Sequence, residues 1–201
     1  MTIRRIHRVI GVAMTLPLLA WAVTGFIFFV KPGYGDAYAS IAVKSYPLDA
    51  PVSIAPRPDW LEMRALKTAL GPHLLARTAD GWKEYDPATL SPRDPPDDAA
   101  LRTLLDDACV NNTQRFGHIA GIERSADGIE AVTTTGIRLS LGWDSLALSQ
   151  RGADTDRIDF LYRIHYLQWT GFEPLDRVLG FAGIVFVIAL SLLGVRLFFR
   201  A

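Results

Sequence analysis

A single cysteine, Cys109, in 201 residues leaves no internal disulfide, no CxxC redox pair and no thiolate-rich zinc site within one chain. Net charge is missing as well: twenty-one Lys+Arg stand against twenty-one Asp+Glu. The concentrated basic excess of a nucleic-acid-coating protein is therefore absent, and nucleic acid is not an expected partner. The signatures HExxH, GxSxG, GxGxxG and the P-loop do not occur, which disfavours an enzyme with a catalytic site of its own. Cys109 lies late in an apolar helical pattern and reads as a small hydrophobe, while Asp106 and Asp107 read as a solvated helix end.

What is plentiful is apolar: half of all residues are hydrophobic, and they concentrate at the two ends. Val9 to Val30 is a run of twenty-two residues without a charge, and Val178 to Val195 is a run of eighteen that Leu197, Phe198 and Phe199 extend past Arg196. About twenty apolar residues cross the ~30 Å hydrocarbon layer, so both runs are expected to span a membrane. Ala37-Tyr38-Ala39 offers a signal-peptidase site, but the first run exceeds the 7–15 residues of a signal h-region, and a retained helix is the expectation. Arg4, Arg5 and Arg8 precede the first span, and Arg196 and Arg200 follow the second. By the positive-inside rule both termini face the cytoplasm. Every acidic residue falls between Asp36 and Asp176, which leaves residues 31–178 with a net charge of −5 on the translocated side.

Between the spans, prolines at positions 32, 47, 51, 56 and 58 indicate an extended connector over 31–58. Asp59 and Glu62 have capping-box spacing ahead of Leu61, Ala65, Leu66 and Leu70, which predicts a helix over 59–70 ending at Gly71-Pro72, with His73 in a loop. Short strands follow in HLLART and WKEYDP around Asp80-Gly81. The pattern then returns weakly: a helix capped by Asp97-Asp98 and carrying Leu101, Leu104, Leu105 and Ala108, then RFGHIAGIERS, a turn at Ala126-Asp127-Gly128, IEAVTTT and RLSLGW. An amphipathic helix over 155–172 places Ile158, Leu161, Tyr162, His165, Trp169 and Phe172 on one face and pairs Asp159 with Arg163 on another. The fold class is α+β: two transmembrane helices flanking an extracytoplasmic domain of helices packed on antiparallel hairpins.

Two histidines fall at membrane boundaries. His7, Gly11, Leu18, Ala22 and Gly25 share a helix face, so a glycine lies one turn beyond the imidazole. The space it leaves could admit a neighbouring helix, or a haem with His7 as axial ligand. Contact with lipid phosphate is a third role. His165 shares the apolar face of its own helix and is a second candidate ligand. The two lie at opposite boundaries and cannot share one iron, so bis-histidine ligation would need a homodimer or a partner membrane protein.

Arg4-Arg5-Ile6-His7-Arg8-Val9-Ile10-Gly11, Trp21 to Phe26 with its Thr24-Gly25, Tyr85-Asp86-Pro87-Ala88-Thr89, and Leu161 to Gly171 with its His165 together resemble PepSY-associated transmembrane proteins of bacterial inner membranes. Leu90 replaces the glycine of that family's D-P-x-T-G motif. The resemblance implies a cytoplasmic tail (1–8), a first span (9–30), the connector (31–58), a periplasmic PepSY-like domain (59–154), an interfacial helix (155–172), a second span with its preceding turn (173–199) and a cytoplasmic end (200–201). It implies an accessory or interaction module in the bilayer, acting as a homodimer or in a membrane-protein complex. Some relatives reduce iron-siderophore complexes with membrane haems, so His7 and His165 are the positions that could hold haem b, with Gly11 as clearance.

Overall fold

The computed structural model describes residues 2–49, 51, 53–125 and 128–199. In chain order its elements are α1 (Ile3–Val30), α2 (Tyr34–Ala37), β1 (Glu62–Thr68), β2 (Gly71–Thr78), β3 (Gly81–Tyr85) and α3 (Asp98–Cys109). There follow α4 (Thr113–Phe116), β4 (Ile119–Ser125), β5 (Gly128–Thr133), β6 (Arg138–Gly142), β7 (Ala147–Arg151), α5 (Ala153–His165) and α6 (Glu173–Phe198). Two units result: Met1–Tyr34 with Asp154–Ala201, and Gly35–Ala153.

In the helical unit, α1 and α6 are 28 and 26 residues long, enough for about 40 Å of helix each and so for a bilayer crossing. The α1 helix begins before the apolar run and takes Arg4, Arg5 and Arg8 into its first turns. It stops at Lys31, whose backbone adopts the left-handed conformation and whose N–H donates to the Ile27 carbonyl at 2.8 Å. The pair is antiparallel, for His7 sits against Gly194, Gly11 against Leu190 and Trp21 against Gly183. Gly183 is required by close approach: a Cβ there would stand 2.7 Å from Leu167 Cδ1 and 3.3 Å from Trp21 Cη2. The α5 helix ends at His165, seven residues before the sequence pattern suggested, so Trp169 and Phe172 lie in the turn that leads to α6. Asp176 fastens that turn by accepting from the backbone N–H of Thr170 at 3.0 Å and from its hydroxyl at 2.7 Å. The Arg163 guanidinium lies over the Phe160 ring.

In the sheet unit, β1-β2-β3 and β4-β5-β6-β7 form two antiparallel meanders. The α3 helix starts where Asp97 accepts from the Ala100 N–H at 2.9 Å, and it buries Leu101, Leu104, Leu105 and Cys109, as the capping and spacing predict. These pack with Ile129, Leu139 and Leu141 from the four-stranded sheet and with Leu75 from β2. Leu74, Ala76 and Tyr85 form a second, smaller cluster with Ile54, Trp60 and Leu90. Neighbouring residues of β2 thus enter different clusters, which is why His73 to Ala76 are buried without interruption.

Two readings of the sequence are corrected. Residues 59–70 form a turn and the strand β1, not a helix, because Leu66 and Thr68 alternate inward at strand period while Gly71, at φ +97°, closes a hairpin onto β2. His73 belongs to β2 and is buried, since Pro72 at a strand start interrupts no ladder bond it would have to donate. The connector carries no more than the short α2 and an isolated bridge at Tyr46 among its described residues, and its Ile41 and Val43 pack on the main core. The Asp80-Gly81 turn is present, with Gly81 at φ +119°. Of the second turn only Gly128, at φ +139°, can be stated, because Ala126 and Asp127 lie outside the described residues, as do Arg200 and Ala201 of the terminal segment. The edge strand β7 has no counterpart in the sequence reading.

Candidate functional site

The sheet unit places a hydroxyl, an imidazole and a carboxylate in a row. On one face of the three-stranded sheet, His73 on β2 is diagonal to Glu84 on β3, two residues off the Leu75 to Glu84 register. His73 Nδ1 lies 2.6 Å from Glu84 Oε1, and His73 Nε2 lies 2.7 Å from Thr68 Oγ1. Arg93 Nη1 stands 3.6 Å from the same Glu84 oxygen, and the Trp143 ring packs edge-on to the imidazole at 5.9 Å. The order matches that of a nucleophile relay. The His73 and Glu84 side chains are nevertheless 0% exposed, and Thr68 Oγ1 also accepts the Leu70 N–H at 3.0 Å. A substrate could not reach it in this state, so the row ties β1, β2 and β3 together.

The helical unit contains the other row. Thr24 on α1 donates its one hydroxyl hydrogen to the Ala20 carbonyl at 2.6 Å, so its contact with His165 Nδ1 at 2.8 Å requires the imidazole to be the donor. With the Thr24 hydroxyl hydrogen on Ala20, the imidazole is the donor at Nδ1, and Nε2 has no hydrogen-bond partner among the described residues. Trp21 Nε1 donates to the His165 carbonyl at 2.5 Å and fixes the backbone. Phe28 and Tyr166 meet the ring edge-on at 5.2 and 5.6 Å. An imidazole held through Nδ1 with Nε2 open is the arrangement of a metal-ligating histidine.

His7 is half-buried, and the small residue beside its Nε2 is Gly194 of α6, 3.5 Å from that atom to the position a Cβ would take. Gly11 faces Leu190 at 3.9 Å on the same basis. The structure does not bring His7 and His165 together: Thr24, which holds His165, is seventeen residues from His7 on α1, about 25 Å along the axis. His118 has an 80% exposed side chain, and burial pushes the Cys109 thiol up to about 11. Among the described residues no group of three His, Cys, Asp or Glu side chains could hold a metal ion.

Sequence reasoning located His7 and His165 but not Thr24 and Trp21 as partners of His165, because that contact joins residues 141 and 144 positions apart. It also missed the Thr68–His73–Glu84 row, whose only signal was the strand alternation of 66, 68, 73, 75 and 84. A family model described as the PepSY-associated TM region matches residues 2–201. No curated protein and no solved structure matches the chain.

Proposed function

Since the chain belongs to the PepSY-associated TM family, we propose that it is a membrane-anchored accessory or interaction module, without a catalytic site of its own, working as a homodimer or within a larger membrane complex. In this reading it sits in a bacterial inner membrane, with both termini cytoplasmic and the sheet unit periplasmic. The arginines flanking the apolar runs and the −5 charge of the middle segment support that orientation. The observation that carries the reading is the sealing of the Thr68–His73–Glu84 row, which gives the sheet unit's most reactive combination of groups to the cohesion of the sheet.

The protein extracted in mild detergent from its native membranes should migrate as a particle larger than one chain, and Thr68→Val should leave that particle unchanged. A monomer under those conditions would contradict the reading.

The unpartnered Nε2 of His165 favours a second one, in which the chain contributes to haem b binding in an electron-transfer system. His165 would hold the group, Thr24 would hold its ring through Nδ1, and Trp21 would fix the backbone behind it; His7 is the candidate at the other boundary, where Gly194 lies beside its Nε2. A haem there would supply a one-electron carrier. Membrane-purified protein should then show a Soret band that His165→Ala removes and Thr68→Val does not. Colourless protein from haem-sufficient cells, with natural partners present, would leave the accessory module alone.

A further inference from the structure

Beside the turn between α5 and α6, a groove of about 1210 Å³ opens in the helical unit. Its floor is apolar, made by Leu16 and Ala20 one turn apart on α1 and by Gly180 on α6. Leu16 lies fourteen residues before the end of α1 at Val30, about 21 Å along the axis, so the floor reaches hydrocarbon depth in a bilayer that α1 crosses. Its rim carries two guanidiniums, Arg163 from α5 and Arg177 from the beginning of α6, and two carboxylates, Glu173 and Asp176, of which Asp176 is bonded to the Thr170 hydroxyl and N–H. The guanidiniums are not equivalent. Arg177 Nη2 is bonded to Glu173 Oε1 at 2.6 Å. Arg163 lies over the Phe160 ring at 5.9 Å and forms no ion pair among the described residues. Neither His7 nor His165 lines the groove.

A groove that runs from an apolar floor to a guanidinium with neither carboxylate of the rim bonded to it has the polarity of an amphiphile with a hydrocarbon tail and an anionic head. Arginine suits a phosphate diester because its planar fork offers parallel N–H donors, and the bilayer supplies such a group at the level of the rim. We propose that the groove holds one anionic phospholipid, with its phosphate on Arg163 and an acyl chain along Leu16 and Ala20. The Glu173 partner of Arg177 disfavours a second phosphate there, which limits the site to one headgroup.

The test uses the intact chain reconstituted in vesicles of equal phosphatidylglycerol and phosphatidylcholine, extracted in mild detergent, with retained lipid counted by native mass spectrometry. The expected result is about one phosphatidylglycerol per chain, enriched about tenfold over phosphatidylcholine, the scale of one charge-assisted contact. Arg163→Gln, at an exposed position, should abolish the enrichment, Arg163→Lys should keep most of it, and Ala20→Trp should abolish it by filling the floor with Arg163 in place. Equal retention of the two lipids by the unaltered protein would overturn the proposal. Enrichment surviving both Arg163→Gln and Ala20→Trp would overturn it too.

Discussion

The sheet unit and the helical unit each tie a histidine to a threonine. In the sheet unit His73 has both ring nitrogens engaged, between Thr68 and Glu84, with no exposed side-chain surface. In the helical unit His165 has Nδ1 engaged by Thr24 and Nε2 open. A fully engaged imidazole contributes to stability, because any loss leaves a buried carboxylate without its partner. A half-engaged one gives up little stability and keeps a lone pair for something else. The difference separates a cohesive element from a chemical one where the residue types alone, threonine and histidine in both units, do not.

The largest expected effect tests that contrast directly. His73→Ala should cost the sheet unit about 3 kcal/mol or more, because Glu84 is left buried without its main partner. His165→Ala should cost only about 1 kcal/mol, the scale of one net hydrogen bond. Hydrogen exchange at the β2 amides and thermal melting of the intact chain in micelles measure the two, and equal costs would break the comparison. Next in size is Gly183→Leu, which should destabilise the helical unit by about 1–3 kcal/mol through overpacking against Leu167 and Trp21. Gly25→Leu, with nothing within 4 Å of its Cβ position, is the matched control and should change the melting little. If both behaved alike, the close contact between α1 and α6 at Trp21 would not exist.

The smallest effect sharpens the sheet side. Asp86 Oδ1 accepts the N–H groups of Ala88 and Thr89 at 2.8 and 2.9 Å, bonds that hold its carboxyl below the usual carboxylate range, and Leu90 follows at φ +56°. Leu90 occupies the left-handed position where the family motif has glycine. Leu90→Gly should change stability by no more than about 1 kcal/mol, since relief of the left-handed backbone is offset by lost packing on Leu74, Ala76 and Tyr85. Leu90→Val should be clearly worse, because β-branching adds to the strain. Chemical denaturation of the intact chain distinguishes the two.

The spans and α3 were legible because each is specified locally: hydrophobic length for α1 and α6, and the Asp97 cap with period-3.6 leucines for α3. The β1 strand was not, because Leu61, Ala65, Leu66 and Leu70 fit a helical period by chance while the strand's own signal is diluted on an edge where Met63, Arg64 and Ala65 are exposed. The β7 strand, another edge with only Leu148 and Gln150 turned inward, carried too little alternation to register. The family motif did mark His165, but the partners that set its tautomer come from α1, and no local pattern encodes a contact across 141 residues. Likewise Gly11 drew attention beside His7, yet the glycine nearest that imidazole is Gly194 on the opposite helix.

The central proposal is the topology, with both ends of the chain cytoplasmic and residues 35–153 periplasmic. Its most direct test is cysteine labelling with a membrane-impermeant maleimide on intact cells stripped of their outer membrane. The native thiol adds little background, since Cys109 is 1% exposed and its pKa is pushed up to about 11. Asp144→Cys, on the exposed turn after β6, should label on intact cells, and Arg5→Cys should label only after lysis. Labelling of Arg5→Cys on intact cells, with Asp144→Cys protected until lysis, would contradict the account.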